Sequence, residues 1–298
     1  MNRPLFSVIV PTYGRPGQLT TCLQALAHLR YPREQFEVIV VDDGSTLPLA
    51  GVVAACQDRL DVTLLRQAHA GPAAARNTGA AHATGQIFAF TDDDCRPAHD
   101  WLQTLQLRFT SAPPQIVGGR TCNALPANPY SAASQLILDM VYGYYNADPG
   151  QARFFASNNL ALPASHFRAI GGFDASFTTS EDRELCDRWL HYGYGMTYAP
   201  EVIVYHAHAL TLRTFWWQHF NYGRGAFCFH RIRARRGSGR FRQELKFYTR
   251  LPLLLGRSLS QEPGRRRLLL SALLLVWQGA NTAGFFWEKI QQAKLLGG

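Results

Sequence analysis

The sequence lacks paired cysteines, and this absence excludes two classes of small stabilised domain. No CxxC pair occurs among the six cysteines, so neither a disulfide scaffold nor a structural zinc site is expected. Scattered cysteines of this kind predict reduced thiols in a cytosolic protein. The chain also shows no basic-then-apolar leader before its first apolar run, so no secretory signal is expected. The cysteines are Cys22, Cys56, Cys95, Cys122, Cys186 and Cys228.

Charged residues are also scarce, and their distribution is uneven. Only 17% of the 298 residues are charged while 47% are hydrophobic, which predicts a globular protein with a substantial core. The segment from Arg231 to Arg267 contains twelve Arg and Lys residues but only two Glu residues, so this segment alone accounts for the net charge of +9. A local basic segment indicates an anionic partner surface, either a membrane or nucleic acid.

The first 120 residues alternate between short apolar runs and amphipathic stretches. Strands alternating with helices predict βαβ units and a mostly parallel sheet, an α/β fold of Rossmann-like type with flanking helices. The predicted strands are 6–10, 36–41, 62–65, 86–91 and 115–118, and the predicted helices are 18–29, 49–57, 73–83 and 101–109.

The pattern beyond residue 120 is less regular but contains no linker before about residue 208. We therefore predict one domain over 1–208 and a helical region, basic and apolar, over 209–298. The further predicted elements are helices at 131–145, 181–192 and 212–229, and strands at 156–162 and 196–205, the last interrupted by Pro200.

Polar clusters follow three of the predicted strands at the point where each strand ends. These clusters are Pro11–Arg15, Asp42–Ser45 and Asp92–Asp94. Since the carboxyl ends of parallel strands meet at one edge of a sheet, the clusters are expected to lie together.

A nucleotide fits such an edge, because Tyr13 offers a face for a base and Asp43 an acceptor for a base or ribose. The aspartate triplet would supply metal ligands for a diphosphate. The alternative for each cluster alone is an ordinary turn that caps the following helix.

Two other nucleotide-binding loops are excluded by their missing glycines and lysine. The chain contains no Walker A loop and no GxGxxG after the first strand. A further acidic pair, Glu181-Asp182, opens a predicted helix, where the helix dipole favours an ionised carboxylate. Such a carboxylate suits a general base if it faces a substrate, and a plain helix cap is the alternative.

Taken together, these motifs resemble those of the family 2 glycosyltransferases, inverting enzymes of GT-A fold that use nucleotide-diphosphate sugars. The resemblance covers about Phe6 to His208, and its motifs are specific as a set. Gly14 departs from it, since the family often has Asn there. The matching stretches are 7–13, 40–45, 75–79, 92–94, 171–174 and 181–182.

The resemblance implies a role for each matching residue. It places a nucleotide-sugar half at about 1–120 and an acceptor half at about 121–208. Tyr13 and Asp43 would contact the nucleobase, and Arg76 the base or the diphosphate. Pro11, Thr12 and Asp93 would complete the donor site.

The resemblance also implies a metal-dependent reaction. Asp92 and Asp94 would form a DxD motif that holds Mg²⁺ or Mn²⁺ on the diphosphate. Asp182 would deprotonate the acceptor hydroxyl. His206 is a candidate third metal ligand, with a structural histidine as the alternative. The partners would be a nucleotide-diphosphate sugar and a hydroxyl acceptor, a glycan or a lipid-linked molecule, and not nucleic acid.

The C-terminal region contains an apolar stretch, Leu268 to Trp287, that follows three arginines. It is long enough to span a bilayer as a helix, but Gln278, Asn281 and Thr282 interrupt it. We therefore expect attachment to the inner face of the cell membrane through interfacial helices in 231–287. The alternative is a helical appendage packed on the catalytic domain or on a second subunit.

Upstream, the predicted helix 212–229 carries four aromatic-ring residues that are expected either to line an acceptor site or to pack in the core. They are Trp216, Trp217, His219 and Tyr222.

Two competing functions remain. One is a sugar-nucleotide pyrophosphorylase-like nucleotidyltransferase, which would want a glycine-rich loop after the first strand. The other is a non-enzymatic basic protein that binds membranes or nucleic acid, which would want a basic face across the whole fold.

Overall fold

The computed structural model describes residues 5–110, 114–239, 245–260 and 263–296. Its centre is one eight-stranded sheet with the order β3-β2-β1-β4-β7-β6-β8-β5. The strands are β1 (Phe6–Thr12), β2 (Phe36–Asp42), β3 (Val62–Arg66), β4 (Ile87–Phe90), β5 (Cys95–Pro97), β6 (Gln115–Asn123), β7 (Leu160–Pro163) and β8 (Gly195–His206).

Strands β3, β2, β1 and β4 are all parallel, as the sequence predicts. All seven residues of β1 are buried, and so are all four of β4, because helices cover both faces of this part of the sheet. The other half is mixed: β7 runs antiparallel to β4 and β6, while β6 and β8 are parallel. The carboxyl ends of β1, β2 and β4 therefore share one edge, as expected from the sequence.

Ten α-helices occur in the described residues, and most agree with the prediction. Helix α2 is shorter than predicted, ending at Ala54. The helices are α1 (Pro16–Ala27), α2 (Ala50–Ala54), α3 (Pro72–His82), α4 (Trp101–Thr110), α5 (Pro129–Tyr145), α6 (Ala164–Ala169), α7 (Glu181–His191), α8 (Leu212–Arg236), α9 (Leu245–Ser260) and α10 (Gly264–Leu296).

Two predictions about strands were wrong in the second half of the sheet. The strand predicted over 156–162 begins only at Leu160, because residues 157–159 form a 3₁₀ turn. The strand predicted to break at Pro200 is continuous. Its pairing with β6 jumps from Ala199 to Ile203, so Pro200 lies in a bulge. Asn159 connects both features, since its amide donates to the Val202 carbonyl at 3.0 Å.

Strand β5 was not predicted, because three residues are too few to show a period. It begins directly after the aspartate triplet and pairs antiparallel with β8, with Cys95 opposite His206. This pairing brings the end of the triplet next to His206, more than a hundred residues away in the chain.

The C-terminal helices pack on the catalytic half through α5. A buried apolar cluster joins Ile137 and Met140 of α5 to Phe247 of α9 and Leu273 of α10. Helices α8 and α10 lie close together because of Gly223. A Cβ atom at this position would stand 2.8 Å from the Asn281 carbonyl carbon. The division into domains at residue 208 stays a prediction.

Part of the basic segment is used inside the protein. Arg233 is buried and pairs with Asp187 of α7 at 3.0 Å, and Arg236 pairs with Asp187 and Glu184. These two arginines are therefore engaged inside the protein, and the anionic partner surface expected for the basic segment stays a prediction. The arginines at 265–267 are exposed at the start of α10.

Candidate active site

A cavity of about 640 Å³ opens at the carboxyl ends of β1, β2 and β4. A second pocket, lined by Leu5, Gln86 and His166, lies at the other end of these strands and contains none of the predicted site residues. The structure thus brings every predicted site residue to the larger cavity: Pro11, Thr12, Tyr13, Asp43, Arg76, Asp92, Asp93, Asp94, Asp182 and His206.

Asp43 is buried and organises the loop that leads into α3. Its carboxylate accepts hydrogen bonds from Gln67 Nε2 at 2.7 Å and from the backbone N–H groups of Ala70 and Gly71 at 2.9 and 2.8 Å. The Nδ1 atom of His69 lies 2.9 Å from the same carboxylate. These contacts fix the shape of one wall of the cavity, and the predicted contact to a nucleobase stays a prediction.

Tyr13 stands at the rim of the cavity with 48% of its surface exposed. Its ring stacks on His69, with the ring centroids 4.4 Å apart and the planes 29° apart. Sequence reasoning missed His69, because the loop 67–71 shows no periodic pattern of apolar residues and the position of this loop depends on its contacts with Asp43. An exposed aromatic pair of this kind offers a flat surface to a base.

Asp93 points into the protein and ties the first loop to the triplet. It is 3% exposed, accepts a hydrogen bond from Thr12 Oγ1 at 2.7 Å, and lies 3.2 Å from Arg15 Nη1. Burial raises the pKa of Asp93 to about 6, against the opposing effects of Arg15 and Thr12. Arg15 is one cation that offsets the triplet, and the sequence did not single it out.

Asp94 faces His206 across the junction of β5 and β8. Its Oδ1 atom lies 3.1 Å from His206 Nε2, and its Oδ2 atom lies 3.1 Å from Arg15 Nη1. Burial opposes ionisation of Asp94, but the hydrogen bond and charge of His206 outweigh it and lower the pKa to about 2. Burial likewise opposes the charge of His206, and Asp94 raises its pKa.

The donor atoms at this junction fit a divalent cation. Ligand atoms of Asp94, Cys95 and His206 lie within 4.8 Å of one another. Burial raises the pKa of Cys95 well above its usual range, so the thiol stays protonated, and hard cations prefer oxygen. The carboxylate of Asp94 and the imidazole of His206 are therefore the ligand groups that this junction offers to a divalent cation.

Arg76 joins the triplet to the start of α7. Its Nη2 atom donates to Asp92 Oδ1 at 2.7 Å and its Nη1 atom to Glu181 Oε1 at 2.8 Å. Arg76 is buried, which opposes its charge, but the two carboxylates outweigh burial and raise its pKa. The side chain of Asp92 keeps 30% exposure toward the cavity.

Asp182 is the second residue of α7 and is half-buried at the cavity wall. Burial and the neighbouring charge of Glu181 raise its pKa to about 7. The backbone N–H of Arg183 donates to its Oδ1 at 2.7 Å. Asp182 is thus poised to exchange a proton near neutral pH, whereas Glu181 is held as a partner of Arg76.

The turn before Asp182 is strained and held from the C-terminal region. Ser180 has a φ of 69°, the only positive value at a non-glycine among the described residues. Thr179 Oγ1 donates to the Asn221 carbonyl at 2.9 Å, and a Cβ atom at Gly225 would lie 2.6 Å from Ser180 Oγ. Helix α8 therefore packs closely against this turn and positions the start of α7.

Comparison with known proteins shows the family and the fold of the chain. The sequence matches the family described as glycosyl transferase family 2 over residues 7–171, and the glycosyl transferase family group 2 over residues 90–288. The mannosyltransferase PcManGT from Pyrobaculum calidifontis, solved with GDP-Man and Mn²⁺, superposes with a TM-score of 0.65. It is 21% identical, and the alignment covers 95% of this chain and 85% of that one.

S. aureus TarS 1–349, solved with UDP-GlcNAc, superposes with a TM-score of 0.54 at 16% identity, over 97% of this chain and 92% of that one. The fold is therefore the GT-A fold of these structural neighbours. The chain belongs to glycosyl transferase family 2, so the expected fold class, family and class of enzyme are confirmed.

Curated relatives show how far the match extends along other proteins. The glycosyltransferase AglE of Haloferax volcanii is 30% identical over 68% of this chain and 67% of its own length. A pre-mycofactocin glycosyltransferase of Mycobacterium tuberculosis is 32% identical over 70% of this chain, which spans 43% of that relative. The validoxylamine A glucosyltransferase of Streptomyces hygroscopicus subsp. jinggangensis is 33% identical over 66% of this chain and 54% of its own length.

Proposed function

We propose that this protein is a metal-dependent inverting glycosyltransferase that moves a sugar from a nucleotide diphosphate to an acceptor hydroxyl. The observation that carries the proposal is the meeting, in one cavity, of a cation-type donor set and a separate carboxylate whose pKa is about 7. The nucleotidyltransferase and non-enzymatic alternatives are not proposed, because the chain belongs to a family of glycosyltransferases.

The donor would lie along the edge of the sheet, with its base against Tyr13 and His69. The stacked rings supply an apolar face, and the loop held by Asp43 closes the side of the pocket. Two structural neighbours were solved with GDP-Man and with UDP-GlcNAc, which supports a nucleotide-diphosphate sugar as the donor class.

Asp94, His206 and the exposed side of Asp92 would hold Mn²⁺ or Mg²⁺ at the diphosphate. A divalent ion there neutralises charge on a departing diphosphate. Two arginines pair with carboxylates of this site: Arg15 Nη1 lies 3.1 Å from Asp94 Oδ2, and Arg76 Nη2 lies 2.7 Å from Asp92 Oδ1. The charge of Arg15 adds to that of His206 in lowering the pKa of Asp94, and the hydrogen bond from Arg76 fixes the orientation of Asp92.

Asp182 would accept the proton of the acceptor hydroxyl as its oxygen attacks the anomeric carbon. Attack from the face opposite the leaving diphosphate forms one bond as the other breaks and inverts the configuration. Glu181 is bound by Arg76 at 2.8 Å, so Asp182 is the better-placed base of the pair. Its raised pKa brings its basicity close to neutral pH, where general bases are most effective.

We also propose that the protein docks on the cytoplasmic face of a membrane. One helix of the described residues, Gly264–Lys294, is long and apolar enough to cross a bilayer, with a mean hydropathy of 1.4 over its best window. The exposed residues Leu268 and Leu269 follow the exposed arginines at 265–267, and other exposed apolar side chains lie elsewhere on α9 and α10. Apolar and basic groups together favour an interfacial position on anionic lipid. The exposed residues include Leu253, Leu268, Leu269, Leu275, Phe286, Trp287 and Ile290.

One set of assays tests the proposed reaction. Purified protein is mixed with UDP- and GDP-sugars and Mn²⁺, and slow donor hydrolysis is followed by NMR, which reports the configuration of the released sugar. We expect inversion, loss of turnover with a strong chelator and recovery with Mn²⁺. Retained configuration, or full turnover without metal, would contradict the proposal.

Flotation with anionic and neutral vesicles tests the proposed membrane docking, and equal recovery with both would contradict a role for the arginines.

A further inference from the structure

Part of the cavity has no role in donor binding or in the metal site. It lies between α5, α8 and α10, and Asp182 lines the same cavity. Its walls combine polar side chains with aromatic and aliphatic ones. The polar residues are Ser134, Gln218, His219, Gln278 and Asn281, and the apolar ones are Ile137, Tyr222, Phe247 and Trp277. This group of residues is called the α5–α10 chamber below.

His219 is the most informative residue of the chamber. It is 2% exposed, and neither of its ring nitrogens has a hydrogen-bond partner among the described residues. Burial lowers the pKa of His219 to about 3, so the imidazole is neutral and offers one donor and one acceptor. The Oγ atom of Ser134 is also buried without a partner in the part of the chain described here.

Unsatisfied buried polar groups are rare in folded proteins and are usually satisfied by a ligand or an ordered water. A hydroxyl group both donates and accepts, so it can satisfy either His219 or Ser134. The ring of His219 is held edge-on to Phe215 and Tyr222, with centroid distances of 4.4 and 5.6 Å. These ring contacts fix the orientation of the His219 imidazole.

The opposite side of the chamber is apolar. Trp277 of α10 is largely buried and packs in the same cluster as Ile137 of α5 and Phe247 of α9. Aromatic walls of this kind bind the C–H faces of sugar rings and apolar substituents. A freely soluble polyol would leave this side of the chamber in contact with water, whereas an amphipathic ligand would cover it.

We propose that the α5–α10 chamber binds the acceptor, and that the acceptor is a glycoside that carries an apolar group. The inference rests on the proposed glycosyl transfer, since it assigns the second substrate of the same cavity. The sugar hydroxyls contact Ser134 and His219, and the apolar group lies against Trp277. The apolar group can come from a lipid or from a compact aromatic aglycone, and the chemistry of recognition is shared.

The test compares glycosides that differ only in their aglycone. Methyl, 4-nitrophenyl and octyl glycosides of glucose, galactose, mannose and N-acetylglucosamine are titrated by calorimetry, with and without UDP or GDP plus Mn²⁺. We expect at least one apolar glycoside to bind about tenfold more tightly than its methyl counterpart. A preference for octyl indicates a lipid-linked source, and a preference for 4-nitrophenyl a compact one.

Two variants connect the binding to the chamber. Ser134→Ala and His219→Phe should each weaken the apolar glycoside about fivefold, through the loss of a hydrogen bond. Trp217→Ala is the matched control. Trp217 is 51% exposed and is not among the residues that line the cavity, so the expectation that it contacts the acceptor or packs in the core is wrong, and its replacement should leave binding unchanged. Thermal unfolding and nucleotide binding confirm that each variant is folded.

The outcomes separate this inference from the proposed function. If no apolar glycoside binds more tightly than its methyl counterpart, or if both chamber variants bind as the unmodified protein does, the chamber is not the acceptor site. If nucleotide and Mn²⁺ fail to bind while the glycoside preference and its loss in the variants persist, the donor proposal fails and the chamber assignment stands.

Discussion

Replacing Asp182 by asparagine removes the proposed base while keeping the shape of the side chain. The carboxylate lies at the start of α7 and has a pKa of about 7 because of burial and Glu181. An amide cannot accept the proton, and loss of a general base typically costs about 10²- to 10⁴-fold in rate. We therefore expect Asp182→Asn to lower kcat by at least about a hundredfold.

Donor binding should survive this change, because the contacts of Asp43 and the Tyr13–His69 stack lie on other loops. Calorimetry with nucleotide diphosphate and Mn²⁺ should give a Kd within about twofold of that of the unmodified protein. Rates come from a coupled assay of released nucleotide diphosphate with a working acceptor. Near-normal kcat in the variant would refute the assignment of Asp182, whatever its effect on binding.

The pH dependence gives a second signature of the same residue. The deprotonated carboxylate is the active form, so the rate of the unmodified protein should fall about tenfold per pH unit below about 7. The folded-state pKa is raised, so ionisation of Asp182 costs stability as the pH rises from its unfolded value through about 7. Asp182→Asn should therefore unfold at a higher temperature than the unmodified protein above pH 7.

Three further predictions test the turn at 179–180, the proposed metal site and the stacking of the nucleobase on Tyr13. Gly225→Ala should push the turn at 179–180 and lower kcat by about tenfold or more, while Gly143→Ala, with open space at its Cβ, should have little effect on steady-state rates. His206→Ala should weaken Mn²⁺ binding about tenfold or more in titrations monitored by electron spin resonance, while Cys95→Ser should not. Tyr13→Ala should weaken nucleotide binding about tenfold in calorimetry, and an unchanged Kd would contradict stacking there.

The edge of the sheet was predictable because its signals are local. The apolar run of β4 ends directly before Asp92, and the runs of β1 and β2 end in the same way, so parallel pairing alone brings the three clusters together. The same reasoning does not reach the partners of each carboxylate. Arg15 and His69 lie in loops, and their contacts with the carboxylates depend on long-range packing. The periodicity of apolar residues in the sequence does not reveal such packing.

The errors in the second half have a common physical origin. Asn159 of the 157–159 turn donates to backbone carbonyls of β6 and β8, so these tertiary hydrogen bonds override the strand pattern. Strand β5 is too short for a pattern, and the chamber around His219 exists only because α8 approaches α10 at Gly223. Such contacts join distant segments and cannot be read from neighbouring residues.

Anomalous diffraction from crystals grown with Mn²⁺ and a nucleotide diphosphate tests the central claim most directly. We predict one strong manganese peak within coordination distance of Asp94 and His206, in contact with the diphosphate, and with Asp182 facing the open side of the cavity. A manganese peak on another surface, or a diphosphate bound away from this edge of the sheet, would contradict the account.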